Sequence, residues 1–433
     1  MSNVSSSNGL DKRVPKLRFP EFSGEWIDVS LSDLLDFQNG INAESSQYGK
    51  GIKYISVMDI LNNTFITYSN IRGLVDIDEK TLEHYSVEYG DIVFQRSSET
   101  MEDVGNTNVY LDKDHTATFG GFVIRGKKKG DYDPFFLKNL LCSPFSRKKI
   151  IRMGAGSQHF NIGQENLSQI HIALPTMEEQ KKVASFLTLL DERIAKQSEL
   201  VEHLKSYKRG VLSAIFRRKI RFIDKDGNPF PEWEKRLFSD IFLILPNNTL
   251  SRSELTHSDN GVYNVHYGDV LIKFGAYIDF EKDNVPTINS SISLNTKSDQ
   301  AYLKDGDVVF ADTAEDYTVG KVSEIYGLNN RLALSGLHTI PCRPTSHFAP
   351  KYLGYYLNSF DYREQLLPII QGSKVSSISR SELQNTYLEI PSYDEQIAIS
   401  DYLSSIDKKI DSCTYVADQL LEYRKAILHQ LFI

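Results

Sequence analysis

Three cysteines in 433 residues, Cys142, Cys342 and Cys413, are too few and too scattered to organise a fold. With no CxxC pair among them, a disulfide framework and a cysteine-bound zinc are not expected, and a reducing cytoplasm is the expected compartment. No apolar run approaches the roughly 18 residues that a membrane helix needs. The opening "MSNVSSSNGLDKRV" is polar and lacks an apolar h-region, so 1–14 is expected to be a flexible lead-in, not a signal peptide. The ten histidines are dispersed and make no metal-ligand spacing with Asp or Glu, so no metal is expected. An excess of positive charge is missing too. The formal net charge of -8 speaks against a surface that grips nucleic acid everywhere and leaves room for local basic patches.

Catalytic signatures are equally scarce. "FGGF" (119–122) and "GAGS" (154–157) have no following Lys-Ser/Thr, so neither is a phosphate-binding loop. "NPFP" at 228–231 is only a distant relative of the Asn-Pro-Pro-aromatic loop that holds a target amine against a methyl donor; its second proline is displaced. Nothing points to a Ser-His-Asp set. The chain reads as non-catalytic.

What is present is repetition. At this length two or three domains are expected. "LPTMEEQKKVASFLTLLDERI" (174–194) is answered by "IPSYDEQIAISDYLSSIDKKI" (390–410), an offset of 216 residues. Without a gap the same offset pairs Pro134 with Pro350, Arg147 with Arg363, Gly156-Ser157 with Gly372-Ser373, Leu167 with Leu383, Tyr207 with Tyr423 and Phe216 with Phe432. "YGDIVFQRSS" (89–98) meets "DGDVVFADTA" (305–314) at that offset, whereas the openings "FPEFSGEW" (19–26) and "PFPEW" (229–233) match at 207. The second copy therefore carries about nine extra residues between its Trp and its GD turn. Between those landmarks the copies share little. A period this long is a tandem duplication of whole modules, each with a divergent globular part and a well-matched helical part.

Each helical part starts on a Pro and a capping residue. Thr176 with Glu179 three positions on reads as a capping box. Apolar residues then recur with 4-3 spacing: Val183, Leu187, Leu190, Ile194, Val201 and Leu204 in the first copy, and Ile399, Leu403, Ile406, Ile410, Leu420 and Ile427 in the second. That is the coiled-coil period. About 40 residues would make a rod of roughly 60 Å. Two such seams in one chain most simply pair with each other, and the short link after the first predicts an antiparallel arrangement. Lys208 and Arg424 interrupt the seams; they cost stability and could fix register. The fold class expected is mixed α/β: two β-rich α/β domains separated by two long helices that form an antiparallel coiled coil, a pseudo-two-fold tandem repeat. The segments expected are a globular part at 15–175, a helical region at 176–218, a second globular part at 219–391 and a second helical region at 392–433. Basic runs at 125–129, 147–152 and 203–221 are either solvated surface or phosphate contacts.

The doubled order of "FPEF…W", "GD[IV]VF", "GS…E.L..I.I.LP…EQ" and heptad helix resembles the specificity subunit of Type I restriction–modification systems, from about Pro15 to Ile433. The resemblance implies two target recognition domains (15–175 and 219–391), each reading one half of a split DNA target, and a coiled coil that sets their spacing. It implies no catalysis in this chain and no cofactor. Its partners would be double-stranded DNA, two modification subunits that methylate adenine with S-adenosylmethionine, and through them restriction subunits that consume ATP; no membrane is involved. Candidate DNA contacts are the polar residues after each GD turn, Gln95, Arg96 and Ser97 in the first copy and Asp312 and Thr313 in the second. The Gly-Ser loops add Ser157, Gln158 and His159, and Ser373 and Lys374. Such side chains suit hydrogen bonding to base edges or phosphates. Two rival readings remain. A self-sufficient DNA methyltransferase would need a donor pocket and an Asn-Pro-Pro-aromatic loop; a coiled-coil adaptor without DNA contact would leave the diverged globular parts without a purpose.

Overall fold

The opening strand of each repeat pairs with the strand that immediately precedes its long helix. Ile27–Ser30 lies antiparallel to His171–Leu174, and Glu234–Leu237 to Tyr387–Ile390. Both ends of each globular part are thereby brought to one place, where the Trp that recurs in each copy, Trp26 and Trp233, is buried. The computed structural model describes residues 13–258, 261–293, 301–372 and 374–433. They fall into two units, Met1–Glu199 with Thr414–Ile433, and Leu200–Cys413. This division differs from the four blocks expected from the sequence, because each unit takes one globular part together with half of each long helix.

In the first unit the central sheet contains β1 (Leu35–Asn39), β2 (Ile92–Gln95), β3 (Thr107–Val109) and β4 (Val123–Lys128), ordered β1-β4-β2-β3 and antiparallel throughout. In the second unit the sheet contains β5 (Phe242–Ile244), β6 (Tyr277–Asp279), β7 (Val308–Ala311), β8 (Val322–Tyr326) and β9 (Thr339–Pro344), ordered β5-β9-β7-β8-β6. The strands β2 and β7 are the "GD[IV]VF" stretches; all four residues of each are buried, which is why they read as continuous apolar runs instead of alternating ones. The strand β6 runs parallel to β8 and has no counterpart in the first unit's sheet.

The long helices are α1, Met177–Phe216, and α2, Tyr393–Leu431, of 40 and 39 residues. On α1 Val183, Leu187 and Val201 are buried and Leu190, Ile194 and Leu204 half-buried; on α2 Ile399, Leu403, Ile406 and Ile427 are buried and Ile410 and Leu420 half-buried. Within each unit the two helices run antiparallel. Beside Trp26 lie the start of α1, through Glu179, and the end of α2, through Phe432. Beside Trp233 lie the start of α2, through Glu395, and the end of α1, through Phe216. Each globular part is thus closed by the start of its own helix and the end of the other copy's. The rings Trp26, Phe136 and Phe432 sit edge-to-face at 5.4–6.5 Å, and Trp233, Phe216 and Tyr352 repeat the group at 6.2–6.3 Å about Phe216.

Glu179 does not close a capping box. Its backbone nitrogen donates to Thr176 Oγ1 at 3.4 Å, but its carboxylate, on a residue 1% exposed, is claimed by long-range partners. Arg18 donates Nε and Nη2 to its two oxygens at 2.8 and 2.7 Å, and Trp26 donates Nε1 at 3.4 Å. In the other unit Arg221 and Trp233 do the same for Glu395, at 3.0–3.2 Å. The neighbouring glutamines finish the joint. Gln180 donates to the Pro175 carbonyl and accepts from Asp133 N; Gln396 donates to Pro391 and accepts from Ala349 N, all at 3.0 Å. The repeated "EQ" is a latch.

The seam interruptions are also paired. Lys208 donates to Asp407, whose other oxygen accepts from the Tyr355 hydroxyl at 2.6 Å. Arg424 holds Asp191 through two bonds and donates to Asn139 Oδ1 at 3.0 Å. The 216-residue offset carries one trio onto the other, Asp191 to Asp407, Lys208 to Arg424 and Asn139 to Tyr355.

The copies diverge in one buried place with a measurable consequence. Glu324 on β8 is 2% exposed and accepts from Lys351 N at 2.5 Å and Gly354 N at 2.9 Å; its counterpart is the neutral Asn108. Desolvation outweighs those bonds and pushes the Glu324 carboxyl up to about 8. An acid whose folded pKa is raised stabilises the fold most below its ordinary value, and that contribution is lost as pH rises through the folded one. The stability of the second unit against thermal unfolding is therefore expected to fall between about pH 5 and pH 9, by a few kcal/mol at most, and Glu324→Gln should flatten that slope. An unchanged slope in the variant would remove Glu324 as its cause.

Candidate nucleic-acid interface

The Gly-Ser loop of each copy is a tight hairpin. Ala155 and Asn161 exchange both backbone bonds at 2.9 Å, and Gln371 and Ser377 do likewise at 3.0 and 2.8 Å. The turn requires glycine: Gly156 has φ +142° and Gly372 φ +107°, and a Cβ at either would meet the carbonyl oxygen of His159 or Val375 at 2.0 Å. Ser157, Gln158 and His159 are exposed at the tip of the first hairpin, and Lys374 at the second; Ser373 lies outside the described residues.

The returning arm of each hairpin pairs with the segment after the GD strand. Asn161 faces Ser97 and Phe160 faces Ser98 in the first unit; Ser377 faces Thr313 and Ser376 faces Ala314 in the second. Two segments some 60 residues apart in sequence become one small antiparallel surface. Ser97 Oγ donates to Asn161 Oδ1 at 2.5 Å across that pairing. Thr313 Oγ1 instead donates to Asp312 Oδ1 at 2.7 Å.

The candidates behave differently. Gln95 is 5% exposed, donates to the Ser97 carbonyl at 2.9 Å and accepts from Asn106 at 3.5 Å. It is a buried strut at the last position of β2 and presents no face to a duplex. Arg96, half-buried, makes one long bond from Nη1 to the Gly121 carbonyl at 3.3 Å. Its backbone nitrogen donates to Phe122 O and its carbonyl accepts from Ile162 N. Asp312 is held identically, its nitrogen on His338 O and its carbonyl on Ile378 N.

A third segment joins this face. The turn before β4 presents Phe122, 67% exposed, beside Arg96; the equivalent turn before β9 presents His338. Exposed Asn42, on the loop after β1, packs on that first turn closely enough that a Cβ on Gly121 would meet its Oδ1 at 1.9 Å. The glycine pair in "FGGF" was the available signal. The pair serves close approach of side chains, the Tyr54 hydroxyl over Gly120 and the Asn42 amide over Gly121.

The basic runs are mostly consumed within the protein. Arg217, Arg218 and Arg221 face Asp361, Glu389 and Glu395 at 3.0–3.2 Å. Arg147 of "RKKIIR" donates to the carbonyls of Glu102 and Val104, and Arg363 to those of Tyr317 and Val319. Burial lowers the pKa of both arginines, and each serves as a brace for the loop that follows the hairpin-paired segment. Among the described residues no group of His, Cys, Asp and Glu could hold a metal ion, and no helix is long and apolar enough to cross a membrane.

The model of the family described as "Type I restriction modification DNA specificity domain" matches residues 23–205 and again 231–421. The chain belongs to that family. The two matches end inside α1 and α2, so each specificity domain includes a hairpin, its GD strand and much of the long helix that follows. A putative type I restriction enzyme MjaX specificity subunit of Methanocaldococcus jannaschii is 22% identical over 97% of this chain and 96% of its own. The type I restriction enzyme EcoKI specificity subunit of Escherichia coli is 23% identical over 89% and 84%. In fold, the chain is similar to the S subunit of a type I restriction–modification system from M. genitalium, with TM-score 0.52 and 16% identity over 97% of this chain and 99% of that one. A second solved structure, described as bearing on complex assembly and conformational transition of the type I R-M system, aligns with TM-score 0.58 and 17% identity over 94% and 97%.

Proposed function

We propose that this chain is the DNA-sequence-specificity subunit of a Type I restriction–modification complex, with each recognition domain reading one half of a bipartite target. The observation that supports this most directly is the hairpin face. Its frame is the same in both units to the individual backbone bond, yet the side chains on it differ: Arg96, Phe122, Gln158 and His159 in one, Asp312, His338 and Lys374 in the other. A duplicated frame with diverged tips suits two unlike half-sites, and a two-stranded ribbon fits the major groove. The subunit would carry out no chemical step itself. Two modification subunits would methylate adenine with S-adenosylmethionine, and restriction subunits joined through them would use ATP. The long helices would set the gap between half-sites and offer matched docking surfaces.

The test is to combine the chain with its modification subunits and follow methyl transfer over a pool of random duplexes. A split motif with a fixed gap is expected; methylation without one would sink the proposal. Inserting one heptad into both α1 and α2 should then change the gap and leave both half-sites as they were. An unchanged gap removes the spacer role while sparing the rest.

A further inference from the structure

The residue that directly follows the GD strand occupies one position in two copies with opposite charge. Arg96 and Asp312 share every backbone partner: the turn residue before the next strand on the nitrogen side, and the residue just after the hairpin on the carbonyl side. Each lies next to the residue that pairs with the hairpin arm. A guanidinium carries only donors, so toward DNA it fits phosphate oxygens or the O6 and N7 acceptors of guanine. A carboxylate carries only acceptors and is repelled by the phosphate backbone. In the major groove Asp312 can therefore face a duplex favourably only through an exocyclic amine, N4 of cytosine or N6 of adenine. Its Oδ1 is already engaged by Thr313 and lies 3.5 Å from His338 Nδ1, while Oδ2 has no partner among the described residues. The side chain is 25% exposed, held on one oxygen and open on the other.

We propose that this position is the base-reading pivot of both units and that its inverted charge makes the half-sites unlike there, Arg96 selecting guanine and Asp312 selecting a base that presents an exocyclic amine. The inference rests on the hairpin face being the DNA-facing surface.

The experiment profiles methylation over the random pool with the complex carrying Asp312→Asn or, separately, Arg96→Gln. Asp312→Asn keeps the shape and replaces the free acceptor by a donor. It should weaken the preference at a single position of one half-site by about tenfold or more, with the other half-site untouched; the base preferred there by the unaltered complex, cytosine or adenine, identifies the amine. Arg96→Gln should relax a guanine in the other half-site only. Uniform loss of methylation across all sequences in either variant would assign the side chain to phosphate contact or to the fold and overturn the proposal, as would two unchanged half-sites. Unfolding midpoints of both variants, measured alongside, should stay within about 2 °C of the unaltered chain's, as for surface substitutions in units of this size. If the unaltered complex yields no split motif, the functional reading itself falls and takes this inference with it; a split motif that neither variant alters overturns the inference alone.

Discussion

Replacing Glu395 by alanine is expected to lower the unfolding temperature of the second unit by roughly 6–12 °C. Glu395 is 0% exposed, and its two oxygens take three bonds, two from Arg221 and one from Trp233. Removing one partner of a buried ion pair costs about 3–5 kcal/mol, because the other charge and any buried donor are left without compensation. Arg221 retains some solvent and also reaches Glu232 and the Phe230 and Pro231 carbonyls, which places the cost at the lower end, near 3 kcal/mol. For a unit of about 200 residues each kcal/mol moves the midpoint by about 2–4 °C. Glu395→Gln keeps one acceptor and should recover part of the loss. Glu179→Ala should act on the first unit in the same way through Arg18 and Trp26. Calorimetry of the full chain would check this: a shift of less than 2 °C for Glu395→Ala would mean that the latch contributes little and that the aromatic group holds the helix start by itself.

Charge reversal in the seam should behave as a coupled pair. Lys208→Glu places a second anion against Asp407, 20% exposed at its side chain, and beside the Tyr355 ring that Lys208 now covers at 5.1 Å. Half-buried like charges at contact should cost about 2–3 kcal/mol. Adding Asp407→Lys should restore most of it, since Tyr355 can accept a bond from the new ammonium with its hydroxyl. A coupling of at least about 1 kcal/mol in the double-mutant cycle is expected. Denaturant unfolding of the four proteins decides it; additive single effects would show that the seam's register is set by the apolar positions alone.

These two expectations rest on residues whose type was legible early and whose partners were not. The duplication, the two heptad helices and their antiparallel pairing follow from spacing, because a helix exposes its period in the order of its residues. Lys208 and Arg424 stood out as polar members of an apolar seam for the same reason. Glu179 has the local neighbours of a capping residue, and a local rule has no access to Arg18, 161 positions away. Gln95 is polar at the end of a strand, but that strand is buried on both faces and the Gln95 amide is taken up by the Ser97 carbonyl, while Arg96 just beyond it is half-buried. Asn42 carries no motif and Phe122 only flanks the glycine pair of "FGGF"; they enter the candidate face because the sheet brings the turn before β4 and the loop after β1 against the GD strand's end.

By itself, the sequence determined what recurs along the chain: two copies, two seams, two glycine hairpins and their separation, all consequences of local periodicity and backbone conformational need. Only the tertiary structure decided what meets what. It joined each hairpin to its GD strand, gave each globular part the end of the other copy's helix, and spent Lys208, Arg217, Arg218 and Arg221 of the basic run at 203–221 on buried or half-buried acids. Those pairings are set by packing and desolvation between residues far apart in the chain, and neither leaves a period in the order of amino acids.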